Sequence, residues 1–124
     1  MTHQTPAEIA KLAKTKLTTP YKEHCLVFSF SVRFDLLGID IVSIGTLDAN
    51  LVHPREVFLP AIRRHAGHIL IVHNHPSGDV EPSDNDIEVT KRLVAAGRIL
   101  GMDVLDHLII GRRRFCSLRE RGLL

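Results

Sequence analysis

The stretch His68-Ile69-Leu70-Ile71-Val72-His73-Asn74-His75-Pro76-Ser77-Gly78-Asp79-Val80-Glu81-Pro82-Ser83-Asp84-Asn85-Asp86 decides the fold. It opens on a short apolar run, His68–His73, bounded by polar residues, which is the pattern of a buried strand. Asn74–Pro82 carries Pro, Gly, Asp and Ser and reads as a loop. Ser83 then begins the longest helix of the chain, which ends near Gly101. Strand, loop and helix in this order are the core of an α/β layer.

Working outward, Val104–Ile110 is a second buried strand, Arg112–Arg114 a turn, and Phe115–Leu118 an edge strand. Upstream, Pro54 suits the first residue of a helix, with Arg55 and Glu56 in its opening turn. That helix is expected to reach about Ala66 and to close on Gly67. Leu47–Pro54 is expected as a loop. Glu23–Phe34 and Ile39–Thr46 read as strands, with Asp35–Gly38 as the turn of a hairpin between them. Ala7–Leu17 has helical rhythm, and Thr18-Thr19-Pro20 ends it. The expected class is therefore α/β, with a mixed β-sheet because the opening hairpin is antiparallel.

Composition sets the outer limits. A chain of 124 residues makes one domain, large enough to build a core without disulfides. Sixteen basic and 14 acidic residues leave a net charge of only +2, too balanced to announce a nucleic-acid binder. Cys25 and Cys116 form no C-x-x-C and are expected as reduced core residues, so the expected compartment is a cytoplasm. Residues 1–24 hold four lysines and no apolar segment, and no stretch approaches transmembrane length. The one irregular number is eight histidines against no Trp and a single Tyr.

Two of those histidines carry chemistry by position. At a strand end, His73 and His75 point to the same side because side chains alternate with period two. Asp86 lies one turn after Ser83 on the following helix. Two imidazoles and one carboxylate are suitable ligands for Zn²⁺, and three protein ligands leave the fourth tetrahedral position to water. The ion lowers the pKa of that water toward about 7. Glu56 is a candidate to take up its proton. Competing readings stand beside these. Ser83-x-x-Asp86 is also the pattern of a helix-capping box, and a carboxylate folded back on the cap is expected not to reach a metal. Glu56 is also an ordinary partner for a helix dipole. Other metal patterns fit worse: there is no zinc-deaminase His-x-Glu with paired cysteines, and no helical His-Glu-x-x-His.

His73-x-His75-Pro76 followed by Ser83-x-x-Asp86, with Glu56 upstream on a helix, resembles the signature of the JAMM (MPN-plus, JAB-domain) zinc metalloproteases. The segments "SIGTLDANLVHPREVFLPAI", "HNHPSGD", "PSDNDIEVTKRLVAAGRILGMDVLDHLIIG" and "SLRERGLL" are similar to the RadC branch of that family. The resemblance covers residues 23–124, with 1–22 as an N-terminal helix and lead-in. It implies His73, His75 and Asp86 as zinc ligands, Glu56 as acid/base on the attacking water, and Ser83 as the hydroxyl that steadies the oxyanion. It also implies a deaminase-like JAB/MPN architecture, a mixed sheet sandwiched by helices, and hydrolysis of peptide or isopeptide amide bonds. The hairpin around Phe30–Gly38 fits the family less well. RadC-like proteins generally carry an N-terminal helix-hairpin-helix region, so the resemblance leads one to expect that this chain is either an excised fragment or a stand-alone form.

The rival reading is a DNA-repair-associated module that binds DNA, or a scaffold whose metal has no catalytic role. Its support is the family label and the cluster Arg112-Arg113-Arg114, with Arg63, Arg64, Lys91 and Arg92 elsewhere. A solvated face is the favoured explanation of these cations, and no aromatic-interleaved basic groove accompanies them. Asp106-His107 reads as a buried hydrogen-bonded pair, with a supporting role at the metal site as the alternative. Asn74 and Ser77 are expected to form the turns of their own loop. His3, His24, His53, His65 and His68 take no assigned role.

Overall fold

The computed structural model describes residues 4–45 and 52–124. Eight elements follow in order: α1 (Pro6–Lys14), β1 (His24–Phe30), β2 (Leu36–Ile44), α2 (Pro54–Arg63), β3 (His68–Asn74), α3 (Asp84–Leu100), β4 (Asp103–Ile110) and β5 (Phe115–Ser117). The strands make one sheet in the order β2-β1-β3-β4-β5. Among the described residues only the β3–β4 pair is parallel, joined by the α3 crossover; the other pairs are antiparallel. The fold is α/β with a mixed sheet, as its sequence implies. The expected loop at Leu47–Pro54 lies outside the described residues as far as Leu51.

Strand alternation sorts the core into two layers. Leu70 and Val72 of β3 join Leu26, Phe28 and Phe30 of β1 under Ile9, Ala10 and Ala13 of α1. Ile69 and Ile71 join Cys25 and Val27 under Val57, Phe58 and Ala61 of α2 and Val89 and Leu93 of α3. Helices therefore cover both faces. His73 continues the odd-numbered series of β3, so its side chain enters the layer beneath α2 and α3. Cys25 and Cys116 are buried free thiols.

Three boundaries differ from the sequence reading. The β1–β2 turn lies at Ser31–Asp35, not Asp35–Gly38. Ser31 Oγ accepts from the amides of Arg33 and Asp35, and Phe34 takes a positive φ of 68°. Helix α2 stops at Arg63, and Gly67 is not its cap. His65 adopts the left-handed conformation (φ 56°), its amide reaches Ile62 O, and the Ala66 amide reaches Ala61 O. That is a Schellman motif with histidine where glycine is usual. Gly67 answers a different demand, since a Cβ there would collide with Val32. Helix α1 ends three residues before Leu17 and begins on a capping box between Thr5 and Glu8.

Strand β4 contains one extra residue. Ile69 pairs with Val104, but Ile71 pairs with His107, so three steps along β4 match two along β3. Such a bulge reverses which face the following residues address. Past it, Leu108 and Ile110 join the α1 layer, and His107 enters the layer that holds His73.

Candidate metal centre

The C-terminal end of β3, the loop after it and the first turn of α3 bring His73, His75 and Asp86 together. One ligand atom from each lies within 4.8 Å of the other two. His73 Nε2 is 2.9 Å from His75 Nε2 and 3.2 Å from Asp86 Oδ1, and His75 Nε2 is 3.2 Å from Asp86 Oδ2. His73 and Asp86 are buried, and His75 is partly open. The Nδ1 of His75 lies 2.7 Å from the carbonyl oxygen of Asp79. A carbonyl only accepts, so that nitrogen carries the proton and Nε2 presents a lone pair to the centre. Two imidazole nitrogens and a carboxylate, with donor atoms this close, suit a borderline cation such as Zn²⁺.

The expected conflict between cap and ligand does not arise. Ser83 caps α3 by accepting from the Asp86 amide at 3.0 Å, and Asp86 Oδ2 accepts from the Ser83 amide at 2.8 Å. The same carboxylate still faces both histidines. A carboxylate has two oxygens and about four lone-pair sites, enough for a cap and a coordination centre at once. Burial by itself raises the Asp86 carboxyl, but contacts with His73 and with Ser83 outweigh it. Asp86 is held well below the usual carboxylate range and is ionised. A cation between the histidines acts on it with the same sign as a proton on His73.

Glu56 stands apart from this cluster. It is exposed in the first turn of α2 and lines a cleft with Cys25, Ser43 and His53. Cys25 is the cross-strand partner of His73, so the cleft adjoins the centre on the same face of the sheet. No hydrogen bond or ion pair engages the Glu56 carboxylate among the described residues. Ser83 is exposed, and its hydroxyl serves the cap as an acceptor, which leaves its own proton free to donate. A second cleft, lined by Leu17, Tyr21, Pro76, Ile110 and Arg112, opens on the outer side of His75.

Around the cluster, two expectations are corrected. Asp106 and His107 do not pair through their side chains. Asp106 is occupied by the amides of His107 and Arg119 and by the Ser117 hydroxyl. The His107 ring instead meets His73 Nδ1 at 2.6 Å and Thr90 Oγ1 at 2.6 Å. Burial, and then the neighbouring His73, push that ring well below the usual imidazole range, so it is neutral. Asn74 does not form a turn of its own loop. Its side chain accepts from the His24 amide and donates to the carbonyls of Lys22 and Pro20, tying the lead-in to the sheet. Ser77 does stay local, accepting from the Asp79 amide. Thr90 went unread in the sequence. Its only signal is the four-residue spacing from Asp86, which puts both on one helix face.

A family model described as a RadC-like JAB domain matches residues 3–123. A UPF0758 protein of Desulfitobacterium hafniense is 50% identical over 119 residues, covering 96% of this chain and 52% of its own length. One from Moorella thermoacetica is 52% identical over the same shares. Another, from Caldanaerobacter subterraneus, is 50% identical over 94% of this chain and 50% of its own length. The chain thus spans about half the length of the curated relatives it matches. No helix of the described residues is long and apolar enough to cross a membrane.

Proposed function

The chain belongs to the RadC-like JAB-domain family, and on that premise we propose that it is a zinc-dependent hydrolase of peptide or isopeptide amide bonds. The observation that carries this reading is the convergence of His73, His75 and Asp86 on one point. JAB domains include metalloproteases, and a His₂Asp set with one open position is a catalytic rather than a structural arrangement. Zinc held there would supply Lewis acidity, polarising a carbonyl and lowering the pKa of water at neutral pH.

The chain's own residues would do the rest. Glu56, exposed beside the cleft, takes a proton from the attacking water on its carboxylate and passes it to the leaving amine. Ser83 donates its free hydroxyl proton to the oxygen on which charge develops, while its lone pair remains on the helix cap. A preorganised donor at that position is worth about 10²- to 10³-fold in rate.

The test is zinc-loaded protein incubated with a library of unstructured peptides, with products read by mass spectrometry. Cleavage should vanish with a chelator and return with zinc. Glu56→Gln should keep its zinc and lose cleavage by about 10²- to 10⁴-fold, the range for a general acid–base group. Full activity in that variant would assign the base elsewhere. Cleavage indifferent to zinc removal would end the metal reading.

A further inference from the structure

The geometry points to His107 and Thr90 as positioning residues that fix which nitrogen of His73 carries its proton, and so aim the Nε2 lone pair at the centre. The inference rests on the metal reading above and extends it to residues outside the ligand set.

The protons along one buried chain of side chains can be placed one after another. Thr90 Oγ1 donates to the carbonyl oxygen of Asp86 at 2.8 Å, and a carbonyl can only accept. The single hydroxyl proton of Thr90 is thereby spent. Its 2.6 Å contact with His107 Nδ1 must then be one in which the ring donates. His107 is fully buried, and a single neutral ring has one N–H, which now sits on Nδ1. Its Nε2 is therefore a bare acceptor. It lies 2.6 Å from His73 Nδ1, so that nitrogen donates, and the remaining lone pair of His73 is on Nε2. Nε2 faces Asp86 and His75. Each proton in the chain Asp86 O, Thr90, His107, His73 then has one place, and the lone pairs left facing one another on His73 Nε2, His75 Nε2 and Asp86 form an arrangement that a cation would satisfy.

Two features of the fold build this chain. The extra residue of β4 turns His107 to the face where His73 lies; an unbulged strand would send it into the opposite layer. Asp106, at that bulge, caps the His107 amide. Thr90 is one helical turn beyond Asp86, so the helix that supplies a ligand also supplies the end of the chain. The usual partner of a metal-binding histidine is a carboxylate, a backbone carbonyl or water. Here a carbonyl is reached through two neutral side chains, which orients His73 without adding a second buried negative charge.

The test is a long-range ¹H–¹⁵N spectrum of the histidine rings in the whole chain, metal-free and zinc-loaded. His107 should appear in both as the Nδ1–H tautomer, with an unprotonated Nε2 coupled across the hydrogen bond to His73 Nδ1. Finding the Nε2–H tautomer at His107 would overturn the proposal. Zinc affinity, measured by chelator competition, should fall about 10- to 100-fold in Thr90→Val and His107→Leu, the usual cost of losing such a partner. Thr90→Ser and His107→Gln, which can still donate at one end and accept at the other, should stay near wild type. A folded Thr90→Val of unchanged affinity would refute the role. Failure of the wild-type chain to take up zinc would refute the metal reading and not this one, which the metal-free tautomers then decide.

Discussion

Replacing Asp86 by Asn and by Ala separates the two duties that its carboxylate performs. Asn keeps an oxygen that can accept from the Ser83 amide, as Oδ2 does at 2.8 Å, but it lacks the charge that a metal site of two neutral histidines needs. Ala loses both. Removing a capping acceptor costs about 1 kcal/mol. For a chain of this size, about 1 kcal/mol corresponds to roughly 4 °C in melting temperature. Metal-free Asp86→Ala should therefore melt about 4 °C below metal-free Asp86→Asn. Zinc reports the other duty. At a hundredfold excess over its dissociation constant, a ligand of the native state stabilises by about 2.7 kcal/mol, or roughly 11 °C. Wild type should gain on that scale, and neither variant should. The assay is a melt by circular dichroism with chelator and with zinc. A zinc-dependent rise in Asp86→Asn equal to wild type would remove Asp86 from the ligand set. Equal metal-free melts of the two variants would show that the cap bond carries no stability and that the shared role is wrong.

Other expectations concern the frame around the site. Gly97→Ala places a Cβ against the backbone carbonyl of Met102, which cannot swing away; overpacking at about 1–3 kcal/mol should exceed the gain of about 1 kcal/mol in helix propensity, and urea unfolding at a higher midpoint than wild type would contradict this. Asp106→Ala strands the amides of His107 and Arg119 and the Ser117 hydroxyl, so it should lower stability by about 2–5 kcal/mol in the same assay, and a loss below about 1 kcal/mol would deny Asp106 its bracing role. Burial pushes the Cys25 thiol up to about 12, so a thiol reagent at pH 8 should label it only at the rate of unfolding, and rapid labelling of the native chain would place it in solvent.

The sequence carried the parts of this account that rest on local pattern. The apolar run of β3, the Pro54 start of α2 and the Ser83 cap of α3 are signals spread over a few neighbours, and each element stands where they point. That His73, His75 and Asp86 could converge was legible from strand alternation and one helical turn, but only the resemblance to the JAMM signature favoured that reading over a plain helix cap. What failed depended on contacts distant in sequence. Nothing near Asn74 announces that its amide will hold the lead-in at His24 and Lys22. The partner of His107 was misassigned because the neighbouring Asp106 is adjacent in the chain, whereas His73 is 34 residues away and is reached only through a bulge. The end of α2 was misjudged because Gly67 is the usual terminator, while His65 accepted the left-handed conformation instead. The cap and ligand roles of Asp86 looked exclusive only while its two oxygens were counted as one.

The proposed hydrolase stands or falls with zinc held by His73, His75 and Asp86. The most direct measurement is a crystal of the zinc-loaded chain with anomalous data on both sides of the zinc edge. One strong peak is expected, bonded to His73 Nε2, His75 Nε2 and an oxygen of Asp86, each at about 2.0–2.2 Å, with a fourth position left to solvent. Absence of a peak there at full zinc occupancy in solution, or coordination through His73 Nδ1, would contradict it.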